Sequence, residues 1–410
     1  MVLVNEVFRF KTIDDVDLRG KRVLLRVDVN SSIDVEKMEI RKDPRIRAVV
    51  PTLEALKESK VVLMAHQSRP GYPDFVSLEL HARRLAEYLP GRVSFVEDIF
   101  GEKALAAIDA LQDGQVLVLD NVRKWSPENK SYTLEEAAQT EMIRALAPKF
   151  DYFVNDAFGA AHRAQPSLIG WPTLLAGPLV GRELKACKLV MESPERPNVM
   201  IIGGAKALDK FQAMRHNLES GALDAVLVCG LTAIMMFEAQ GIDMGEANNK
   251  LVREDLAACR EDVVKVLEKF GDKVVLPVDM VTDSGGQREV LAIEDVGKRN
   301  VPTGDVGPAT IEKFKETILG AKTIIANGPP GIFEQEVYRK GTYAVVDLMV
   351  QATERGAYTM IGGGEMGTAA EMSGKADKIS FISTGGGALL EILSGHELPL
   401  VQALNAKAPK

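Results

Sequence analysis

The chain has 410 residues, 46% hydrophobic and 26% charged, an ordinary globular composition in a chain longer than one hydrophobic core usually spans. Its formal net charge of −8 argues against a general nucleic-acid binder, which needs a basic field, so any positive site has to be local. The longest uncharged run, residues 225–237, is too short to cross a bilayer and reads as a core strand with the start of a helix. Cys187, Cys229 and Cys259 are far apart, lack metal-ligand spacing and leave an odd count, which predicts buried thiols in a reducing cytoplasm. The N-terminus has no basic flank, long apolar core or small-residue cleavage site, so no signal peptide is expected.

The first half repeats one pattern of apolar strand, polar or basic cluster and helix. Strands are predicted over Arg22–Val29, Val61–Ala65, Val93–Val96, Val116–Leu119 and Tyr152–Val154, with helices over Arg45–Lys57, Leu78–Tyr88 and Thr133–Leu146. Such alternation predicts an α/β fold with a parallel sheet covered by helices on both faces. Polar residues gather at the carboxyl ends of these strands: Arg26, Asp28 and Asn30, then His66 and Arg69, then Asn121 and Arg123, then Asn155, Asp156, His162 and Arg163. Ligands of open α/β sheets bind at those ends, so these side chains should converge, joined by Arg45 from the following helix. Several arginines converging in an acidic protein predict a small, multiply anionic ligand, because guanidinium forks match carboxylate and phosphate oxygens. His66 and His162 belong to no metal-binding pattern; ligand hydrogen bonding or packing is expected of them.

The rhythm breaks near Gly177–Pro178, a helix is predicted over about 179–191, and the turn Ser193–Pro197 restarts the chain. We place the domain boundary here, with an N-terminal domain over 1–177 and a C-terminal domain over 178–395. The second half opens on a strand running into Gly203–Gly204, and then a helix that sets Lys206 and Lys210 four apart on one face. Further strands are predicted over Ala225–Val228, Val274–Val278 and Thr323–Ala326. The last leads into the Gly/Pro-rich turn Asn327–Glu334, which can wrap a flat ligand, with Glu334 placed to accept ribose hydroxyls. Glycine clusters at Gly362, Gly363 and Gly364, and at Gly385, Gly386 and Gly387, again follow a strand and precede a helix. Backbone N–H groups there can close on a phosphate; tight packing is the other reading. No acidic residue ends the strand after Gly362–Gly367, which disfavours a dinucleotide fingerprint.

Taken in order, RVDVN, AHQSRP, DNVR, VNDAFGAAHR, ESPERPNVMIIGGAKALDK, DVGPAT, NGPPGIFE, GGGEMG and STGGGALLE resemble the phosphoglycerate kinase family, from about Val23 to Leu404. The NSSID and AHQSRP wording is similar to the archaeal branch. The resemblance implies two doubly wound parallel-sheet domains separated by a cleft and closing by a hinge, with the tail 396–410 packing back on the N-terminal domain. It implies 3-phosphoglycerate on Arg26, Asp28, Asn30, His66, Arg69, Arg123 and Arg163, with Arg45 at the transferring phosphoryl group. It implies ATP or ADP on Gly204, Ala205, Lys206, Lys210, Gly230, Asn327, Pro329, Ile332, Glu334 and the 362–364 glycines, with Mg2+ near Glu365. The Gly385–Gly387 run, with Lys206, would face the phosphoryl group in transit. The chain departs from the family at Glu365, where Asp is usual, and at Met366, where Thr is common. Its glycine cluster near the adenine is reduced to Cys229–Gly230–Leu231. Two function readings stand at this point: a cytoplasmic enzyme, monomeric, that transfers a phosphoryl group reversibly between 1,3-bisphosphoglycerate and ADP, or a catalytically retired homologue that senses phosphometabolites. Neither implies a nucleic-acid or membrane partner.

Overall fold

A run such as Arg22–Val27, apolar at four of its six positions, is stable only where both faces are covered. In the computed structural model, which describes residues 10–409, five of those six residues are buried. The chain divides into two compact units, Met1–Lys185 with Glu397–Lys410, and Ala186–His396. The stretch that bears on a signal peptide lies mostly outside the described residues.

The first unit is built on a six-stranded sheet: β1 (Arg22–Val27), β4 (Lys60–Met64), β5 (Val93–Phe95), β6 (Val116–Val118), β7 (Tyr152–Asp156) and β8 (Leu175–Ala176). A small antiparallel hairpin, β2 (Ser32–Asp34) and β3 (Glu39–Lys42), follows β1. The sheet order is β5-β6-β4-β1-β7-β8 and every pairing is parallel. From β1 the chain winds outward on one side through β4 and then on the other through β7, so the topological switch lies beside β1. Val23, Leu25, Ile46, Val49, Leu53, Val61 and Leu63 form the centre of the core. Each such side chain contributes on the order of 1.5–3 kcal/mol by leaving water. The helix Pro399–Ala406 belongs to this unit and is tied down by Leu400 N–H on the Ala161 carbonyl (3.2 Å) and Lys407 Nζ on the Ile169 carbonyl (2.7 Å).

The second unit repeats the plan. Its sheet contains β9 (Asn198–Ile202), β10 (Ala225–Val228), β11 (Val274–Val275), β15 (Thr323–Asn327), β16 (Tyr358–Gly362) and β17 (Phe381–Ile382), in the order β11-β10-β9-β15-β16-β17 and parallel throughout. The switch lies between β9 and β15. The uncharged run near residue 225 is β10 with the helix Gly230–Ala239. The three cysteines are buried, and no helix among the described residues is long and apolar enough to cross a membrane.

Three elements differ from their sequence reading. The helix expected over Thr133–Leu146 is two, Leu134–Ala138 and Glu141–Leu146, because the Thr140 hydroxyl takes the Ala137 carbonyl at 2.7 Å and competes with the next helical turn. Pairing in the strand expected over Val274–Val278 stops at Val275, two residues before Pro277, which has no N–H for a ladder. The antiparallel sheet β13-β12-β14, made of β12 (Asp279–Ser284), β13 (Gln287–Ala292) and β14 (Thr303–Val306), was not expected at all.

Candidate active site

In the first unit the parallel register puts Arg26 beside Met64 on one neighbour and Asn155 on the other, so the strand ends carrying Asp28, His66 and the 157–163 turn lie side by side. Asp28 accepts from Arg45 at 3.0 Å and from the Asn30 N–H at 3.0 Å. The Asn30 side chain in turn accepts the Ser68 N–H at 2.8 Å. Ser68 is held in the left-handed region at φ 54°, which turns its carbonyl onto the Arg123 guanidinium. Arg69 is exposed, and its guanidinium carbon lies 4.2 Å from the Tyr72 ring centre.

Arg123 is 4% exposed, yet its Nε and Nη2 have no hydrogen-bond partner among the described residues, and the same holds for Nε of Arg163. Burial and the neighbouring Arg163 and Arg26 push the Arg123 pKa down to about 10; burial also lowers that of Arg163. Buried donors without acceptors cost free energy, so this cluster is built to receive an anion. Arg26 sits deeper. It donates through Nε to the Ser167 hydroxyl at 2.9 Å, through Nη1 to the Val27 carbonyl, and through Nη2 to Nδ1 of His66 at 3.2 Å. Arginine can only donate, so Nδ1 accepts and the His66 ring carries its proton on Nε2. Burial, then Arg26, Arg123, Arg163 and Arg45, hold the His66 pKa well below its ordinary value, so the ring is neutral.

Other residues expected to converge hold the scaffold instead. Asn121 bridges Gln67 and Arg123 backbone groups. Asn155 caps Ala157, while Asp156 takes the Thr52 hydroxyl at 2.5 Å and the Val180 N–H at 3.0 Å.

In the second unit β9 and β15 end side by side, Asn327 pairing with Ile202, and two adjoining cavities open beyond them. The first, about 390 Å³, is lined by Gly204, Ala205, Gly230, Pro329, Ile332 and Glu334 together with Thr303, Gly304, Asp305 and Met280. The second, about 260 Å³, is lined by Lys206, Lys210, Asn327, Gly363, Gly364, Gly386 and Gly387. Ala205 and Glu365 border both. The predicted positions therefore fall into two chambers, both with more apolar than polar lining, of which the first is the more apolar and the second carries the two lysines.

Lys206 adopts left-handed φ 62° as the residue before the helix Ala207–Glu219 and is exposed. Lys210 is buried, its ammonium donating to the Asn327 carbonyl at 2.9 Å and to Oδ1 of the same residue; burial pulls its pKa down to about 8. Nδ2 of Asn327 is buried without a partner among the described residues. Gly362 and Gly385 line neither cavity. A Cβ on Gly362 would lie 2.2 Å from the Leu389 side chain, and the Gly385 N–H donates to the Ser383 hydroxyl at 3.2 Å.

Sequence reasoning missed several contributors. Asp305 lines the first cavity with a fully buried side chain, paired with Arg288 at 2.8 Å and the Gly341 N–H at 2.7 Å; burial pushes its pKa up to about 6. Glu128 and Ser167 stand behind Arg26 and are fully buried. The signal for the β12–β13 hairpin was present: Gly285 and Gly286, both at positive φ, are a two-residue turn of the kind that joins antiparallel strands.

Comparison with known proteins agrees with this geometry. The family described as Phosphoglycerate kinase matches residues 13–396. A protein named Phosphoglycerate kinase from Methanothermus fervidus is 40% identical over 97% of this chain and 97% of its own length. One of the same name from Methanococcus maripaludis is 40% identical over 98% of this chain and 99% of its own. A crystal structure of phosphoglycerate kinase from Pyrococcus horikoshii superposes with a TM-score of 0.89 at 34% identity, covering 96% of this chain and 98% of the other. The alternative of a retired sensor finds no support among them. With the family's sequence profile, its full length and its two parallel sheets all present, this chain belongs to the phosphoglycerate kinase family.

Proposed function

We propose that this protein transfers the acyl phosphate of 1,3-bisphosphoglycerate to ADP, reversibly, giving 3-phosphoglycerate and ATP. The observation that carries it is the arginine cluster of the first unit, in which buried Nε and Nη2 of Arg123 and Nε of Arg163 have no acceptor among the described residues. A small ligand bearing a carboxylate and a phosphate supplies those acceptors, and 3-phosphoglycerate has both. On this reading residues 1–177 form the substrate domain and residues 178–395 the nucleotide domain.

Asp28, Asn30, Arg69, Arg123, Arg163 and His66 bind the substrate. Arg45, close enough to Asp28 to be oriented by it, stabilises charge on the transferring phosphoryl group. The more apolar chamber takes the base and ribose, with Glu334 toward the ribose and Ile332 against the base. The chamber that carries the lysines takes the phosphates on Lys206, Lys210 and the N–H groups at Gly386 and Gly387. The acceptor carboxylate of 3-phosphoglycerate, with an ordinary pKa near ~4, is ionised at neutral pH and needs no general base.

The described residues contain no cluster of three metal-ligating side chains. That fits Mg2+, which uses one or two carboxylates and completes its shell with substrate phosphates. Glu365, bordering both chambers, is the carboxylate that would hold it, and the ion would neutralise phosphate charge. We further assign the protein to the cytoplasm as a monomer.

The test is Mg-ATP with 3-phosphoglycerate, following ADP formation with a trap for the acyl phosphate, with Arg45→Ala in parallel. The parent turns over and the variant loses on the order of 10³-fold in rate. Absence of turnover in the parent, with both ligands binding by calorimetry, refutes the proposal.

A further inference from the structure

Behind the substrate cluster lies a relay of four buried side chains that ends at His66. Glu128 and Ser167 are 0% exposed, Arg26 1% and His66 4%. Glu128 grips Ser167 twice, accepting its N–H at 3.0 Å and its hydroxyl at 2.5 Å. The Ser167 oxygen accepts Nε of Arg26, and Nη2 of Arg26 reaches Nδ1 of His66. We infer that Glu128 and Ser167 are positioning residues for substrate binding, which through Arg26 hold the His66 ring in one orientation with its proton on Nε2. This rests on the substrate-binding reading of the cluster.

The direction of every bond follows from what each group can do. Arginine can only donate and a serine hydroxyl has one proton, so that proton has to go to Glu128. A carboxyl oxygen of Glu128 is therefore what aligns Ser167 to accept from Arg26. Glu128 is also the first of the charges that favour the charged form of Arg26, whereas Arg163 opposes it. With a glutamine amide at 128, N–H could face the Ser167 oxygen, its hydroxyl proton would lose its acceptor, and of the charges that favour the charged form of Arg26 only Asp28 would remain. Arg26, with three nitrogens engaged on protein, acts on ligand through His66 rather than by a bidentate fork.

The test is Glu128→Gln and Ser167→Ala in the full chain, read two ways. Steady-state kinetics should show KM for 3-phosphoglycerate raised about tenfold, with KM for ATP changed less than about twofold. Two-bond 1H–15N correlation of histidine-labelled protein, with the His66 signal identified by its loss in His66→Gln, should show an Nε2–H ring in the parent and a mixture of tautomers in the variants. An unmoved His66 signal, or equal rises in both KM values, overturns the inference. Ser167→Ala, which removes one oxygen, decides by the same criteria if Glu128→Gln does not fold. The tautomer readout needs no substrate, so failure of the parent to turn over would count against the proposed reaction and leave the relay separately measurable.

Discussion

Lys210, proposed above to bind phosphate, shows how burial brings a lysine into the titrating range. An unfolded lysine holds its proton to about pH 10.4, whereas the folded residue releases it near pH 8. Between those values the unfolded chain binds more protons, so stability rises with pH on account of this residue. Below pH 8 both states are charged and the desolvation cost of the ammonium is fully present. The unfolding free energy of the parent, measured against Lys210→Met in urea, should therefore improve by about 3 kcal/mol between pH 7 and 10.5. A parent-minus-variant difference that stays level across that range would show that Lys210 is not desolvated.

At the scale of elements, the turn after β15 and the turn after β9 meet through close backbone contacts. Gly203 donates its N–H to the Asn327 carbonyl at 3.1 Å. A Cβ on Gly203 would lie 2.4 Å from the Pro329 carbonyl oxygen and 3.0 Å from that of Gly328. Neither atom can rotate away, so Gly203→Ala has to push the 327–334 turn outward. We expect it to cost about 1–3 kcal/mol of stability and to raise KM for ATP while KM for 3-phosphoglycerate holds. Thermal unfolding and paired KM measurements check it, and a variant with parental nucleotide KM would show that the turn does not shape the nucleotide chamber. Asp305 braces the same turn from the far side, since a Cβ on Gly331 would lie 2.4 Å from its Oδ1. The antiparallel β12–β13–β14 sheet thus has a purpose: its last strand delivers Thr303, Gly304 and Asp305 to the first chamber.

For the molecule as a whole, the proposed reaction assigns one ligand to each unit, at that unit's own topological switch. 3-Phosphoglycerate alone should slow amide exchange in peptides covering 26–31, 66–69, 121–124 and 160–164. ADP alone should do so at 203–211, 303–306, 327–334 and 363–366. Hydrogen-exchange mass spectrometry separates these sets. Protection of the first set by ADP alone would contradict the assignment of ligands to units.

The sequence alone carried the parallel-sheet plan, the strand-end arginines and the glycine-headed turns. Those features are local: a run buried on both faces is mostly apolar, and the polar groups sit at its carboxyl end or directly after it. Tertiary structure decided which polar groups face the site and which are turned inward. Asn121, Asn155 and Asp156 occupy strand ends like Asp28 does, yet bond to the scaffold. Glu128, Ser167 and Asp305 are not singled out by the sequence, because nothing within a few positions shows that they are buried. Their partners are distant in the chain: Ser167 lies 39 residues from Glu128 and 141 from Arg26, and Gly341 lies 36 from Asp305. Burial of a charge is a property of everything packed around it, and only the folded chain brings those surroundings together.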